Sequence, residues 1–139
     1  MSIKYIFLFS ITFFINCFKI ENPKKFISDV IIDLNGNNKY ILLEMVNKTN
    51  FNDYKYLIRG STTFEFHKQI YLDFMQNNVY KYHEIYSNFN FKILGGGRIS
   101  VNSNNITVYG CSGYYGEANH KLACNLIKKV YPSYNCKAI

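Results

Sequence analysis

Three kinds of side chain in this sequence have both the chemistry and the setting to act on a phosphate or carboxylate. His67 comes first. The run Thr62-Thr63-Phe64-Glu65, a hydroxyl followed three residues later by Glu, predicts a helix starting near Thr63 and running to about Tyr82. His67 then falls in the second turn, near the positive end of the helix dipole, which disfavours the imidazolium form. A neutral imidazole serves as a general base or a nucleophile. The commoner fate of a lone histidine is a ring at the core edge that donates to a carbonyl. The second kind is arginine: Arg59 and Arg98 are the only two, against fourteen lysines. A planar fork that grips an oxyanion with two bonds is not replaced by an ammonium without loss. The third is Lys39, where a turn enters a β-rich run; it adds charge to a site, or is simply a solvated loop lysine.

Glycines supply the remaining chemistry. The stretch from Leu94 to His120 holds six of the eight in the chain: Gly95, Gly96, Gly97, Gly110, Gly113 and Gly116. The turn Cys111-Ser112-Gly113-Tyr114-Tyr115-Gly116 lies between a strand pattern and a helical one. Such a turn directs backbone N–H groups into a common space, and the following helix start adds positive potential. Used this way, backbone geometry at Ser112, Gly113 and Tyr114 matters a great deal and the Ser112 side chain little. The plain alternative is a tight turn with no ligand, because no fixed phosphate-loop pattern is matched.

The elements that must position these residues follow from periodicity. Val30-Ile31-Ile32 and Tyr40 to Val46, around Asn35-Gly36-Asn37-Asn38, predict a hairpin. Tyr54 to Gly60 alternates as a third strand, and Phe89-Phe91-Ile93 as the strand that enters the triple glycine. Ile99-Val101 and Ile106-Val108 around Ser103-Asn104-Asn105 predict another hairpin. In the first helix Phe66, Ile70 and Phe74 form an apolar face. A second helix is expected over Glu117 to Val130 with Ala118, Leu122, Leu126 and Ile127 buried, stopped by Pro132, and a short strand over Tyr134 to Ile139 closes the chain. His83 sits among solvent-type residues at a helix end.

With 48% apolar and 18% charged residues, the chain has the material for one packed domain rather than a disordered tail. A net charge of +7 favours anionic partners, but the lysines are scattered and never form a run of more than two. Cys111, Cys124 and Cys136 are thirteen and twelve residues apart and match no zinc spacing. Three cysteines cannot all pair, so a reducing compartment is expected. The N-terminus argues otherwise: Lys4 followed by the apolar run Tyr5 to Ile15 has signal-peptide length and is short for a membrane span. Residues 1-25 are therefore set apart as leader and linker, and 26-139 as the domain. Asn47-Lys48-Thr49 is a formal glycosylation sequon of a kind that an Asn-rich composition produces by chance.

Taken together, Arg59-Gly60, then Phe66-His67-x-x-Ile70-Tyr71, then Leu94-Gly95-Gly96-Gly97-Arg98-Ile99-Ser100 form an ordered set of motifs. Val108-Tyr109-Gly110-x-Ser112-x-x-Tyr115-Gly116-x-Ala118-x-His120 and Tyr131-Pro132-x-Tyr134 complete it. With Asp29-Val30-x-Ile32-Asp33 and Lys39-Tyr40 at its start, the chain resembles the protein histidine phosphatase (Janus) family from about Phe26 to Cys136. The resemblance implies an α/β fold: a single domain with a mixed central sheet of about six strands and one helix on each face. It implies removal of phosphate from phosphohistidine in proteins, with phospholysine as a further candidate substrate, without metal or other cofactor. It places His67 on the catalytic histidine, Lys39 on the phosphate-binding lysine and Ser112-Gly113-Tyr114 on the backbone cradle. Arg59 and Arg98 fall on arginines that support the site. A cytoplasmic monomer is implied, with phosphohistidine-containing proteins as partners and neither nucleic acid nor a membrane span in the domain. Gly113 and Tyr114 depart from the family's usual residue types. The segment between His67 and Arg98 is longer than usual, with the extra length expected as a loop around Tyr82 to Asn90. The hydrophobic N-terminus is not a family feature and leaves a secretory or tethered location open. Two rival readings remain: a basic, aromatic-rich module that stacks single-stranded nucleic acid, and a non-catalytic secreted binding protein on the same fold. Neither needs His67, Lys39 and the Ser112–Tyr114 turn together.

Overall fold

Runs of β-branched and aromatic residues pair into one mixed six-stranded sheet in the computed structural model, which describes residues 22–139. The apolar N-terminal run expected to be a leader lies outside the described residues. Among the described residues, no helix is long and apolar enough to cross a membrane. The strands are β1 (Val30–Ile31), β2 (Gly36–Asn47), β3 (Tyr54–Ser61), β4 (Phe89–Asn102), β5 (Asn105–Tyr109) and β6 (Asn135–Ala138). Their order across the sheet is β1-β3-β2-β4-β5-β6, with β1/β3 and β5/β6 parallel and the other pairs antiparallel.

β2 organises the core. Alternation along it sends Tyr40 and Leu42 to one face and Ile41, Leu43 and Met45 to the other, and all five are fully buried. On the second face lie α1 (His67–Phe74), a wide π-helical turn (Met75–Tyr80) and the short α2 (His83–Tyr86), which bury Ile70, Phe74, Val79 and Tyr86. On the first face α3 (His120–Val130) packs Ala123, Cys124 and Ile127. The expected layering of a mixed sheet with helices on both faces is thus the architecture observed. The stretch Tyr82 to Asn90, expected as a loop, instead holds α2 and the first residues of β4.

Three local expectations are corrected. The first two β-rich runs do not make a hairpin: β1 pairs with β3, because both edges of β2 are already taken by β3 and β4. The first helix starts at His67, not near Thr63. The Thr62 amide and hydroxyl both donate to Asp33 Oδ2 at 2.8 Å, so this threonine ties the β3 end to the β1–β2 loop instead of capping a helix. The end of α1 is closed by Gln69, whose Oε1 accepts from the Phe66 amide at 2.8 Å. The cysteines also depart from expectation. Cys124 on α3 and Cys136 on β6 form a disulfide, their Cα atoms 5.7 Å apart, and Cys111 is free and exposed. The bond staples the edge strand β6 to the helix beneath it, which sequence spacing alone did not reveal.

Candidate active site

β4 runs without a break through the triple glycine, with a bulge where Leu42 pairs with Gly95 and Leu43 with Ile93. Each glycine admits a different neighbour. A Cβ at Gly95 would meet the backbone of Ala118 at 2.7 Å, and one at Gly97 would meet the rings of His120 and Tyr40 at 2.7 and 2.9 Å. A Cβ at Gly96 would lie 2.9 Å from Ser112 Cβ and 3.0 Å from His67 Cδ2. The bare stretch of strand is therefore the floor on which the helix start and the glycine turn converge.

His67 is the first residue of α1 and is held by that floor: Nε2 lies 2.9 Å from the Gly97 carbonyl. A carbonyl only accepts, so Nε2 carries the proton and Nδ1 is left as the ring nitrogen with a free lone pair. The amides of His67 and Lys68, in the first turn of α1, have no backbone acceptor and sit at the positive end of the helix. His67, Lys68, Gln69, Leu72 and Phe66 on one side and Ser112, Gly113 and Tyr114 on the other line a groove of about 340 Å³. Its rim is apolar and open, with Phe66 60% and Tyr114 76% exposed. Lys68 Nζ reaches across to 5.9 Å from the centre of the Tyr114 ring.

The turn opposite is clipped to the same strand. Gly96 donates to the Gly116 carbonyl and accepts from the Ala118 amide, both at 3.0 Å. Within the turn, Ser112 and Gly116 exchange backbone bonds at 3.1 and 2.9 Å. Ser112 is buried and its Oγ accepts from the amides of Tyr114 and Tyr115 at 3.3 and 3.1 Å. Of the three amides expected to face an anion, Gly113 is the one without an acceptor among the described residues, and the long Tyr114 bond is the one most easily exchanged. The expectation that the Ser112 side chain matters little does not fit this arrangement, since that hydroxyl sets the curvature of the turn.

A second buried network holds the entry to the turn. Tyr40 Oη lies 2.6 Å from His120 Nδ1, and His120 Nε2 donates to the Gly110 carbonyl at 2.7 Å. Gly110 has a φ of +74°, a conformation that favours glycine. Burial, and then Glu117, hold the Tyr40 phenol above its usual range, so it stays a donor to the ring. The one sequence signal for His120 in this role is its place in the Gly116-x-Ala118-x-His120 spacing. Phe66, Lys68, Gln69 and Leu72 join the groove because α1 starts at His67, a turn later than the Thr62–Glu65 pattern predicts.

Lys39 and Arg98 are direct cross-strand partners on β2 and β4. Arg98 follows Gly96 by two residues and so shares its face of β4, the face on which His67 lies. Among the described residues neither cation is in an ion pair. Arg59 is elsewhere. It is buried on β3 beneath α1, with its guanidinium 5.1 Å from the centre of the Phe74 ring, and it lines a separate cavity rather than the His67 groove.

A mixed sheet with helices on both faces, which brings a helix-start imidazole against a glycine turn across one groove, defines a single-domain α/β protein. Residues 24–135 match the model of the Janus/Ocnus family. The chain is 36% identical over 115 residues to the "14 kDa phosphohistidine phosphatase" of Sus scrofa, covering 78% of this chain and 86% of that protein. It is 35% identical over 114 residues to the protein of the same name from Homo sapiens, again 78% and 86% covered. The chain belongs to the Janus/Ocnus family.

Proposed function

We propose that this chain is a protein phosphohistidine phosphatase that needs no metal, acts as a monomer and uses His67 Nδ1 at the reacting phosphorus. One observation carries the reading: the groove that sets His67 opposite the Ser112–Tyr114 turn, in a chain whose relatives bear that activity in their names. The P–N bond of a phosphohistidine is weak once the leaving imidazole is protonated. What remains is to orient and neutralise the transferring phosphoryl group. The Gly113 amide and the free amides of the α1 start bind its oxygens, and Lys39 and Arg98 supply charge from the sheet. Two routes use the same nitrogen. Nδ1 takes the phosphoryl group and water later releases it, or Nδ1 draws a proton from water attacking in line. In both, the exposed Phe66 and Tyr114 give the substrate's imidazole an apolar seat, and phospholysine, lacking a ring, fits the groove less well.

The test is phosphate release from a phosphohistidine peptide in the presence of a chelator, with His67→Ala beside the wild type. The wild type keeps its rate in chelator, and folded His67→Ala loses about 10²–10⁴-fold. Undiminished turnover by folded His67→Ala would remove the mechanism. Phosphate label retained on His67 after rapid acid-free quenching selects the covalent route. The cytoplasmic location implied by resemblance competes with a second reading that the Cys124–Cys136 bond favours: an oxidising compartment, reached through the apolar N-terminal run.

A further inference from the structure

Beside Phe74, at the opposite end of α1 from His67, the buried guanidinium of Arg59 is only partly satisfied. Nη1 donates to the Ile58 carbonyl at 2.8 Å, whereas Nε and Nη2 are buried with no hydrogen-bond partner among the described residues. A buried polar group left unpaired is costly, and a charged one more so. The two orphan nitrogens are not a random pair. Nε–H and the neighbouring Nη2–H point the same way along one edge of the guanidinium, the edge that receives a carboxylate through two parallel bonds. The Arg59 side chain forms part of the wall of a cavity of about 190 Å³, with Ile31, Phe64, Ile70 and Phe74 as apolar walls and Ser61, Asp73 and Asn78 as polar ones.

Neither nearby carboxylate of the chain serves as the missing partner. Asp73 is exposed on the wall and accepts from Asn77 Nδ2 at 2.7 Å. Asp29 pairs with Lys55 at 2.7 Å. Burial lowers the Arg59 pKa to about 10, with Asp29 and Tyr86 acting in the opposite direction, so the group is still a cation at neutral pH. The cavity thus sets apolar side chains beside a guanidinium edge shaped for a fork, with the Asp73 carboxylate on the same wall.

We propose that this cavity is a second ligand site, distinct from the His67 groove, which takes a small carboxylate with an apolar tail through Arg59 Nε and Nη2. The carboxylate replaces the absent partner, and the tail lies against Phe64, Ile70 and Phe74. Because both nitrogens are sealed from water as they stand, entry requires wall side chains to shift. The site is independent of the proposed phosphatase reaction and stands or falls separately from it.

The chain's having only two arginines makes the test direct. Protein labelled with ¹⁵N-arginine gives two Nε–H resonances in the domain, assigned by the loss of one in Arg59→Lys or, should that variant not fold, of the other in Arg98→Lys. Sodium butyrate is titrated at constant ionic strength, with butyramide and sodium chloride as controls. The expected result is a saturating shift of the Arg59 resonance, half complete in the low-millimolar range, with Arg98 still and no response to butyramide. No saturating movement at Arg59, an equal drift of both arginines, or an equal response to butyramide would overturn the proposal.

Discussion

Adding one methyl group at Gly96 tests the link between the bare strand and the site. An ideal Cβ there lies 2.8 Å from the Tyr40 carbonyl oxygen, 2.9 Å from Ser112 Cβ and 3.0 Å from His67 Cδ2. Favourable carbon–carbon separation is about 3.5–4.0 Å, so each neighbour must retreat by roughly 0.5–1 Å. The Tyr40 carbonyl belongs to β2, paired on both sides, and Gly96 itself is clipped at 3.0 Å to Gly116 and Ala118. Relief therefore comes from Ser112 and His67. Overpacking of this kind costs about 1–3 kcal/mol, a fall of several degrees in Tm for a domain of this size. The catalytic loss is larger than the stability loss suggests. Displacing a reacting group by about 1 Å is worth about 10²-fold in rate, or about 2.7 kcal/mol. Thermal melts and kcat on a phosphohistidine peptide, measured well below Tm, provide both readouts for Gly96→Ala. Gly113→Ala is the control for stability: its Cβ meets nothing within 4 Å and its φ is not positive, so its stability stays within about 0.5 kcal/mol of wild type. Wild-type melting and turnover in Gly96→Ala would refute the reasoning, because the contacts that define the floor would then not constrain His67.

Lys39→Ala raises KM more than it lowers kcat, and the wild-type KM rises with salt while the mutant's responds less, because a point charge on the sheet is screened; a loss in kcat at unchanged KM would give Lys39 a transition-state role instead. Arg59→Met raises Tm in carboxylate-free buffer by about 1–3 kcal/mol equivalent, since a buried unpaired charge is exchanged for an apolar chain of similar length. The sign with pH follows from the lowered Arg59 pKa of about 10: above it the unfolded arginine still holds its proton while the folded one releases it, so wild-type stability gains on the variant as pH rises through that value. Reducing the Cys124–Cys136 bond, or Cys124→Ser, costs about 3 kcal/mol by loop-closure entropy over a sequence separation of 12, seen as a lower Tm that reductant no longer changes in the mutant. Alkylation of intact cells before lysis then reports the compartment, with Cys124 and Cys136 protected from label if the chain matures under oxidising conditions.

Sequence by itself determined the class of fold and the family, and it named the candidate residues of the site. Alternation and helical periodicity are local properties of the chain, so the β2, β3, β4 and β5 runs and the α3 stripe of Leu122, Leu126 and Ile127 are visible residue by residue. The rarity of arginine, the lone His67 beside a helix and the glycine cluster are equally local, and the ordered motifs made the family legible. Partners distant along the chain were decided only by tertiary structure. Whether Val30–Ile31 pairs with β2 or β3 depends on which edge of β2 is free, and β4 settles that from more than fifty residues away. Thr62 looks like a helix cap until Asp33, 29 residues earlier, takes its amide and hydroxyl. Cys124 and Cys136 meet because β6 joins the edge of the sheet above α3, a crossing that spacing does not encode. The same holds at the two arginines. Their common rarity suggested a common role, yet β-sheet register sets Arg98 beside Lys39 and seals Arg59 under α1, because what lies across a strand is fixed by pairing and not by the neighbours in sequence.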